Sequence, residues 1–154
     1  PQESALTDTM RVLVLHGPNL NLLGRRAPEV YGSATLADLE TLCRSEGEAL
    51  GLQVDCRQSN HEGELVEWIQ KAGEDYGGLV LNAGAYSHTS IALHDALEAV
   101  ALPTIEVHLS NIFKRESFRH HSYISPQALG VICGLGFDGY RAALLVLARR
   151  LKGK

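Results

Sequence analysis

The sequence has little of several features that define specialised classes of protein. Among its 154 residues, 18 acidic side chains outnumber 14 basic ones, so the formal net charge of -4 excludes the electrostatic footprint of a nucleic-acid-binding protein. No apolar run approaches the ~18 residues of a membrane span. Apolar and charged contents of 45% and 21% are ordinary for a globular protein, and the length suits one domain. We therefore expect neither a nucleic-acid nor a membrane partner.

Cysteines are also few. The three thiols, Cys43, Cys56 and Cys133, are odd in number, widely spaced and without a CxxC pair. This favours small apolar core residues over disulfides or a zinc site. The histidines show no closely spaced ligand motif such as HExxH, so the sequence predicts no metal site.

The first nine residues lack the basic and apolar regions of a signal peptide. We expect residues 1–9 to form a disordered tail and residues 10–154 to form a single domain. A cytoplasmic location is the default expectation.

Short apolar runs alternate with segments of helical periodicity. Strands are predicted at residues 12–15, 52–56, 79–81, 104–107 and 130–133, and helices at residues 35–50, 61–76, 89–101 and 138–151. Thr35 and Asp38 have the spacing of a capping box at the first helix. The alternation predicts an α/β, flavodoxin-like three-layer sandwich with a five-stranded parallel sheet in the order 2-1-3-4-5.

In such a sheet, ligands bind at the carboxyl ends of the strands where the strand order reverses. The rule selects the loops after the first, third and fourth strands. These loops contain Asn19, Arg26, Tyr31, Asn82, His88 and His108. The predicted crevice therefore collects residues that carry acid–base and hydrogen-bonding chemistry.

Tyr31 ends a polar, glycine-rich loop and follows Arg25 and Arg26 by six and five positions. A phenol ordinarily titrates near ~10. Guanidinium groups beside it favour the phenolate, which could then act as a base at neutral pH. The alternative is a loop tyrosine packed on the core.

His108 ends a predicted buried strand, and Glu106 lies two residues earlier on the same face. A carboxylate can fix an imidazole tautomer and favour its protonated form, which suits a general acid. A strand-end histidine bonded to backbone is an equal alternative from spacing alone.

Arg115 and Arg119 would share a face if residues 114–120 were helical. They could surround a small anion together with Arg26, or form a solvated basic patch. Residues 134–139 match G-x-G-x-x-G, but no strand or acidic residue follows to hold a ribose. We expect tight packing of the last helix there rather than a dinucleotide site.

Four segments of the sequence together indicate a protein family. They are GPNLNLLGRRAPEVYG from Gly17, LNAGAYSHTS from Leu81, IEVHLSN from Ile105 and RESFRHHSYIS from Arg115. With them the chain resembles the type II 3-dehydroquinate dehydratases, over about residues 11–151. The resemblance implies a hydro-lyase that converts 3-dehydroquinate to 3-dehydroshikimate by anti elimination through an enolate. It implies no metal or organic cofactor.

The resemblance also implies roles. Tyr31 would be the base, Arg26 would lower its pKa, and Asn19 would hold a water at the enolate oxygen. His108 would be the general acid, oriented by Glu106. The implied substrate ligands are Asn82, His88, Arg119, the backbone amides of Leu109 and Ser110, the lid-associated Arg115, and Asp95 from a neighbouring subunit. Residues 22–31 would form a mobile lid with Gly24 and Gly32 at its ends.

Family members assemble as dodecamers, which agrees with the largely apolar predicted helix at residues 89–101. The chain departs from the family at His16, where an amide is expected, and at Ala27, where a polar residue is expected. The biosynthetic shikimate and catabolic quinate pathways both stay open. The leading alternative to an enzyme is a binding module for a small polyhydroxy acid, without need of a tyrosinate.

Overall fold

The protein is built on one all-parallel sheet of five strands in the order β2-β1-β3-β4-β5. A computed structural model describes residues 10–25, 29 and 32–153, so the predicted tail at residues 1–9 lies outside it. The strands are β1 (Arg11–His16), β2 (Gln53–Gln58), β3 (Gly78–Asn82), β4 (Thr104–His108) and β5 (Gly130–Cys133). The predicted fold class and strand order are confirmed.

Helices connect the strands and cover the sheet. They are α1 (Leu36–Ala49), α2 (Glu62–Asp75), α3 (Ile91–Val100) and α4 (Asp138–Lys152). The predicted capping box is present at α1, where Thr35 Oγ1 accepts from the backbone of Asp38 and the Asp38 carboxylate accepts from the backbone of Thr35. Helix α3 begins two residues later than predicted, because Ser90 caps it by accepting from the Leu93 amide.

Each face of the sheet has its own hydrophobic cluster. One side packs β1 and β4 residues such as Val14 and Val107 against α1 and α4. The other side packs Leu13 and Leu81 against α2 and α3. The side chains of a strand alternate between faces, so successive β1 residues enter opposite clusters. This gives the three predicted layers.

The strands end in polar residues at one edge. His16 is paired in register with Gln58 on one side and with Asn82 on the other. Between β4 and β5 the chain forms three 3₁₀ turns, Ile112–Lys114, Ser117–Arg119 and Ser125–Gln127. These turns fold back over the carboxyl end of β4 and help to build the cleft described below.

The cysteine prediction holds only in part. Cys43 is buried, but Cys56 and Cys133 are half-buried; all three are free thiols. Cys56 and Cys133 lie on the two outermost strands of the sheet, β2 and β5. In the part of the chain that the structure describes, no helix combines the length and apolarity needed to cross a bilayer.

Candidate active site

A polar cleft lies at the carboxyl ends of β1, β3 and β4. Its lining residues are Pro18, Asn19, Leu20, Asn82, Gly84, Ala85, His88, His108, Leu109, Ser110, Ile112, Arg115 and Arg119. Eight of the twelve residues expected at the site are in this set. The rule of the reversed strand order therefore located the cleft correctly.

The loop after β1 is held close to the loop after β3. The Gly17 amide donates to the Asn82 carbonyl at 2.7 Å. A Cβ at Gly17 would lie 2.3 Å from the Ala83 carbonyl oxygen, so only glycine fits this approach. Asn19 follows with a left-handed φ of 70°, which an asparagine tolerates better than most residues. The close approach brings Asn19 and Asn82 to one cleft.

Sequence reasoning missed the residues that fix this loop from β2. The Asn60 carboxamide oxygen accepts from the Asn19 amide at 3.0 Å. The Gln58 carboxamide donates to the Gly17 carbonyl and to Asn60, each at 3.1 Å. The Tyr86 hydroxyl donates to the Asn60 carbonyl at 2.8 Å. A polar run directly after β2, the strand next to β1, is the signal that could have identified Gln58 and Asn60.

His108 and Glu106 form the predicted pair. The Nε2 atom of His108 lies 2.5 Å from Oε2 of Glu106, and both side chains are buried. The carboxylate also accepts from Ser122 at 2.7 Å and from Ser125 at 2.5 Å. The alternative of a histidine bonded only to backbone is thereby excluded. Ser122 and Ser125 were not predicted, because they come from the irregular segment before β5.

These contacts set the charge of Glu106. Burial alone would raise the pKa of this carboxyl, but the hydrogen bonds from His108 and Ser125 outweigh it and hold the pKa below its usual value. The group is therefore a carboxylate at neutral pH. A buried carboxylate with three donors stays fixed, so it orients the His108 ring and leaves Nδ1 as the nitrogen not bonded to Glu106.

His88 lies beside this pair. Its ring stacks on that of His108 with centroids 6.2 Å apart and planes 17° apart. Its Nδ1 is 2.8 Å from the His121 carbonyl, which can only accept. Burial lowers the pKa of His88, so the ring is neutral at pH 7. The neutral tautomer with a proton on Nδ1 leaves Nε2 as an acceptor for a ligand hydroxyl.

Asn82 is buried at the floor of the cleft. Its Oδ1 accepts from the Gly84 amide at 3.1 Å, and its Nδ2 donates to the Tyr140 hydroxyl at 3.2 Å. Tyr140, fully buried on α4, was not predicted as a supporting residue. The amide is thus held in one orientation, with Nδ2 retaining a second hydrogen for a ligand.

Arg115 and Arg119 both line the cleft, but the helical segment that would have put them on one face does not form. Arg115 and Glu116 separate two 3₁₀ turns there. Arg119 donates to Glu116 through Nε at 3.2 Å and Nη2 at 3.4 Å. Arg115 Nη1 lies 3.5 Å from Ser110 Oγ. The turns, rather than a helical repeat, bring both guanidinium groups to the cleft.

Of the other expected site residues that the structure describes, Glu106 contacts His108 behind the cleft wall and Asp95 does not line the cleft of this chain. Asp95 is on the exposed side of α3, with its carboxylate 3.0 Å from His94 Nδ1. Arg26 and Tyr31 lie outside the described residues. The ends of the predicted lid are described: Gly24 and Gly32 both have positive φ, 91° and 80°. Only glycine adopts such angles freely, so both positions suit sharp changes of chain direction.

Two of the three glycines in residues 134–139 pack closely against neighbouring residues. A Cβ at Gly139 would contact Ile132 at 3.3 Å and Val107 at 3.4 Å, so the glycine lets α4 approach the sheet. Gly134 has a positive φ and packs against Asn111. This agrees with the packing interpretation of the G-x-G-x-x-G match.

The fold and this cleft define a flavodoxin-like α/β protein with a histidine–carboxylate pair at its ligand-binding edge. The chain matches the family model described as dehydroquinase class II over residues 10–148. It belongs to the class II dehydroquinase family.

Individual relatives agree. The chain is 60% identical over 141 residues to a 3-dehydroquinate dehydratase of Rhodopseudomonas palustris strain TIE-1, covering 91% of this chain and 93% of that protein. It is 59% identical over 146 residues to 3-dehydroquinate dehydratase 1 of Bradyrhizobium diazoefficiens, covering 94% and 93%. The crystal structure of a type II dehydroquinase from Propionibacterium acnes is similar with a TM-score of 0.88 and 47% identity, covering 91% of this chain and 97% of that one.

Proposed function

We propose that this chain is a hydro-lyase that converts 3-dehydroquinate to 3-dehydroshikimate by reversible anti elimination of water through an enolate. The observation that carries the proposal is the buried His108–Glu106 pair, placed at a cleft that two arginines also line. A proton donor opposite a cationic wall suits a substrate with a carboxylate and a leaving hydroxyl.

His108 is the general acid in this proposal and protonates the hydroxyl that leaves from C1. The buried Glu106 carboxylate keeps the ring in place through its contact with Nε2. After the step, the ring regains a proton from solvent and the base releases the proton it took from C2, so the enzyme returns to its starting state. General acid–base groups typically contribute 10²–10⁴-fold to rate.

Tyr31 is the proposed base and removes a proton from C2 as tyrosinate, with Arg26 favouring the anion. Both belong to the lid at residues 22–31, whose described ends at Gly24 and Gly32 flank them. Closure of this segment over the cleft would bring the phenolate to the substrate and exclude water.

Asn19 is proposed to hold a water against the enolate oxygen. Its backbone is fixed by Asn60, so the side chain projects from a rigid point on the cleft wall. A donor arranged in advance at an oxygen that gains charge lowers the barrier directly.

The remaining cleft residues would bind the substrate. The amides of Leu109 and Ser110 follow β4 and would hold the carboxylate. Asn82 and the Nε2 atom of His88 would bind hydroxyls, for which both are oriented by internal hydrogen bonds. Arg119 would bind a further oxygen, and Arg115 would meet the closed lid.

We further propose a homododecamer, a tetramer of trimers, in which Asp95 reaches the cleft of a neighbouring subunit. Two features of α3 support this: the Asp95 carboxylate is 67% exposed and Ile91 is 57% exposed. Native mass spectrometry gives the subunit number. A chain that stays monomeric while fully active would contradict the proposal.

The cellular role is a proposal too. The reaction serves aromatic amino acid biosynthesis through the shikimate pathway or breakdown of quinate, and a cytoplasmic location and a single catalytic domain over residues 10–154 stay predictions.

The proposal is tested by incubating the purified protein with 3-dehydroquinate and analysing the products by mass spectrometry. The expected product has lost one water and absorbs in the ultraviolet as a conjugated enone. The His108→Gln variant should form it far more slowly. Tight binding of 3-dehydroquinate with no product from the folded wild type would identify a binding module instead.

A further inference from the structure

A buried histidine outside the cleft has no hydrogen-bond partner. The side chain of His16, at the end of β1, is fully buried, and neither ring nitrogen has a partner among residues 10–25, 29 and 32–153. Buried polar groups are almost always satisfied, and each exception requires a cause such as an ion.

Two further donors surround the His16 ring. These donors are the carboxylate of Glu40 on α1 and the thiol of Cys56 on β2. One atom of each, together with a His16 ring nitrogen, forms a group of three atoms that lie within 4.8 Å of one another. Cys56 pairs with Val14 across the sheet, two residues before His16, so both side chains project to the face that α1 covers. Three separate elements thus deliver one donor each.

We propose that His16, Glu40 and Cys56 form a binding site for a divalent transition-metal ion of the Zn²⁺ class. Imidazole, thiolate and carboxylate are the ligands that zinc takes in proteins, and three protein ligands leave a fourth tetrahedral position for water.

The distances suit an ion better than a hydrogen bond. His16 Nε2 and Glu40 Oε2 are 3.9 Å apart, too far for a hydrogen bond. Ligand atoms bonded to one tetrahedral zinc at ~2.0–2.1 Å are about 3.3 Å apart. This pair therefore needs to close by about half an ångström, and the Cys56 sulfur lies within 4.8 Å of both atoms.

Charge and protonation also agree. Both ring nitrogens of His16 lack a hydrogen-bond partner among the described residues, so a neutral ring can coordinate through one of them. On binding, the Cys56 thiol loses its proton to solvent and the sulfur donates a pair to the ion. The charges of Zn²⁺, one thiolate and one carboxylate then sum to zero, which suits a largely buried site.

The neighbouring thiol Cys43 differs from Cys56. Cys43 is buried and is not among the three residues whose ligand atoms converge. The ligand positions 16, 40 and 56 are too widely spaced for a sequence motif. This is why the sequence predicted no metal site, a prediction that the proposal revises.

The test uses reduced, tag-free, full-length protein from which a chelator has removed any metal. The protein is then dialysed against Zn²⁺, or against Co²⁺ as a spectroscopic probe. We expect one equivalent of metal per chain, a thiolate-to-cobalt charge-transfer band, and a higher melting temperature with Zn²⁺. His16→Asn, Glu40→Gln and Cys56→Ser should each weaken binding more than roughly tenfold. Cys133→Ser removes a thiol outside the proposed site, so it should leave the metal stoichiometry, the charge-transfer band and the melting temperature unchanged.

The three ligand variants are checked for folding without metal. Should His16→Asn fail to fold, the half-exposed Glu40→Gln still decides the outcome. Binding without a thiolate band, or binding that Cys56→Ser and Glu40→Gln leave unchanged, would overturn the proposal and place the ion at exposed histidines such as His120 and His121. These readouts do not depend on turnover, so they stand apart from the proposed dehydratase activity.

Discussion

The Nε2 atom of His108 lies 2.5 Å from the Glu106 carboxylate inside a buried pocket that Ser122 and Ser125 complete. His108 lines the cleft, whereas Glu106 has no solvent exposure. The carboxylate acts on the ring rather than on a ligand, so Glu106 is a positioning residue and His108 is the group that meets the substrate.

The pair predicts a graded loss of activity. His108→Gln removes the acid and should lower kcat by about 10²–10⁴-fold. Glu106→Gln keeps the shape but loses the charge, so kcat should fall less and KM should change little. Steady-state kinetics at several pH values check this. The matched control is Glu67→Gln, on the exposed face of α2. A Glu106→Gln enzyme with the wild-type rate and pH profile would contradict the positioning role.

Glu106 also predicts how stability depends on pH. Its pKa in the folded protein lies below that of an unfolded glutamate, ~4.3. The unfolded chain therefore takes up the proton first on acidification. The stabilisation from this group is present above about pH 4.3 and is lost as pH falls through the folded pKa.

Urea unfolding between neutral pH and pH 3 measures the effect. Glu106→Gln should be less stable than the wild type at pH 7, and its stability should fall less steeply below pH 4.3. Glu67→Gln should follow the wild-type curve. Parallel curves for wild type and Glu106→Gln would show that this carboxyl has its unfolded pKa in the native state.

Much of this site could be predicted because it depends on short-range sequence features. Strand ends fall where an apolar run meets a polar residue, so the positions of Asn82 and His108 at the ends of β3 and β4 could be predicted. The pairing of Glu106 with His108 follows from the two-residue repeat of a strand. The other predicted residues of the cleft came from the four sequence blocks that resemble the family.

What escaped prediction depends on contacts between distant parts of the chain. Ser122 and Ser125 reach Glu106 from a segment without periodicity, and Tyr140 reaches Asn82 across 58 positions. Asn60 fixes the β1 loop because β2 lies next to β1. Arg115 and Arg119 both line the cleft although residues 114–120 are not helical, because two 3₁₀ turns present them there.

The position of Gly17 in the cleft wall has no room for a side chain. Gly17→Ala would place a Cβ 2.3 Å from the backbone oxygen of Ala83, so the two loops must separate. We expect a loss of about 1–3 kcal/mol in the free energy of unfolding and a raised KM. Gly63→Ala is the control, since a Cβ there has no atom within 4 Å and α2 should gain about 0.5–1 kcal/mol. Denaturant unfolding that ranks the two variants equally would contradict the close approach.

Replacing Arg119 with lysine should weaken substrate binding even though the positive charge is kept. Arg119→Lys retains the cation but loses the planar fork, which Glu116 already holds from one side. The loss of a charged hydrogen bond to substrate, about 1.5–3 kcal/mol, should lower kcat/KM roughly tenfold or more. Arg141→Lys, at an ion pair with Asp138 on α4, is the matched control. Equal kinetics for the two variants would remove Arg119 from the substrate site.

The most direct test of the account separates binding from turnover at Tyr31. Wild type, Tyr31→Phe and the control Tyr76→Phe, whose hydroxyl bonds Asp55 away from the cleft, are mixed with 3-dehydroquinate. Ultraviolet absorbance follows the enone product, and calorimetry of Tyr31→Phe gives its affinity. The account predicts turnover in wild type and Tyr76→Phe, and loss by orders of magnitude in Tyr31→Phe with binding largely kept. Full turnover in Tyr31→Phe would contradict it.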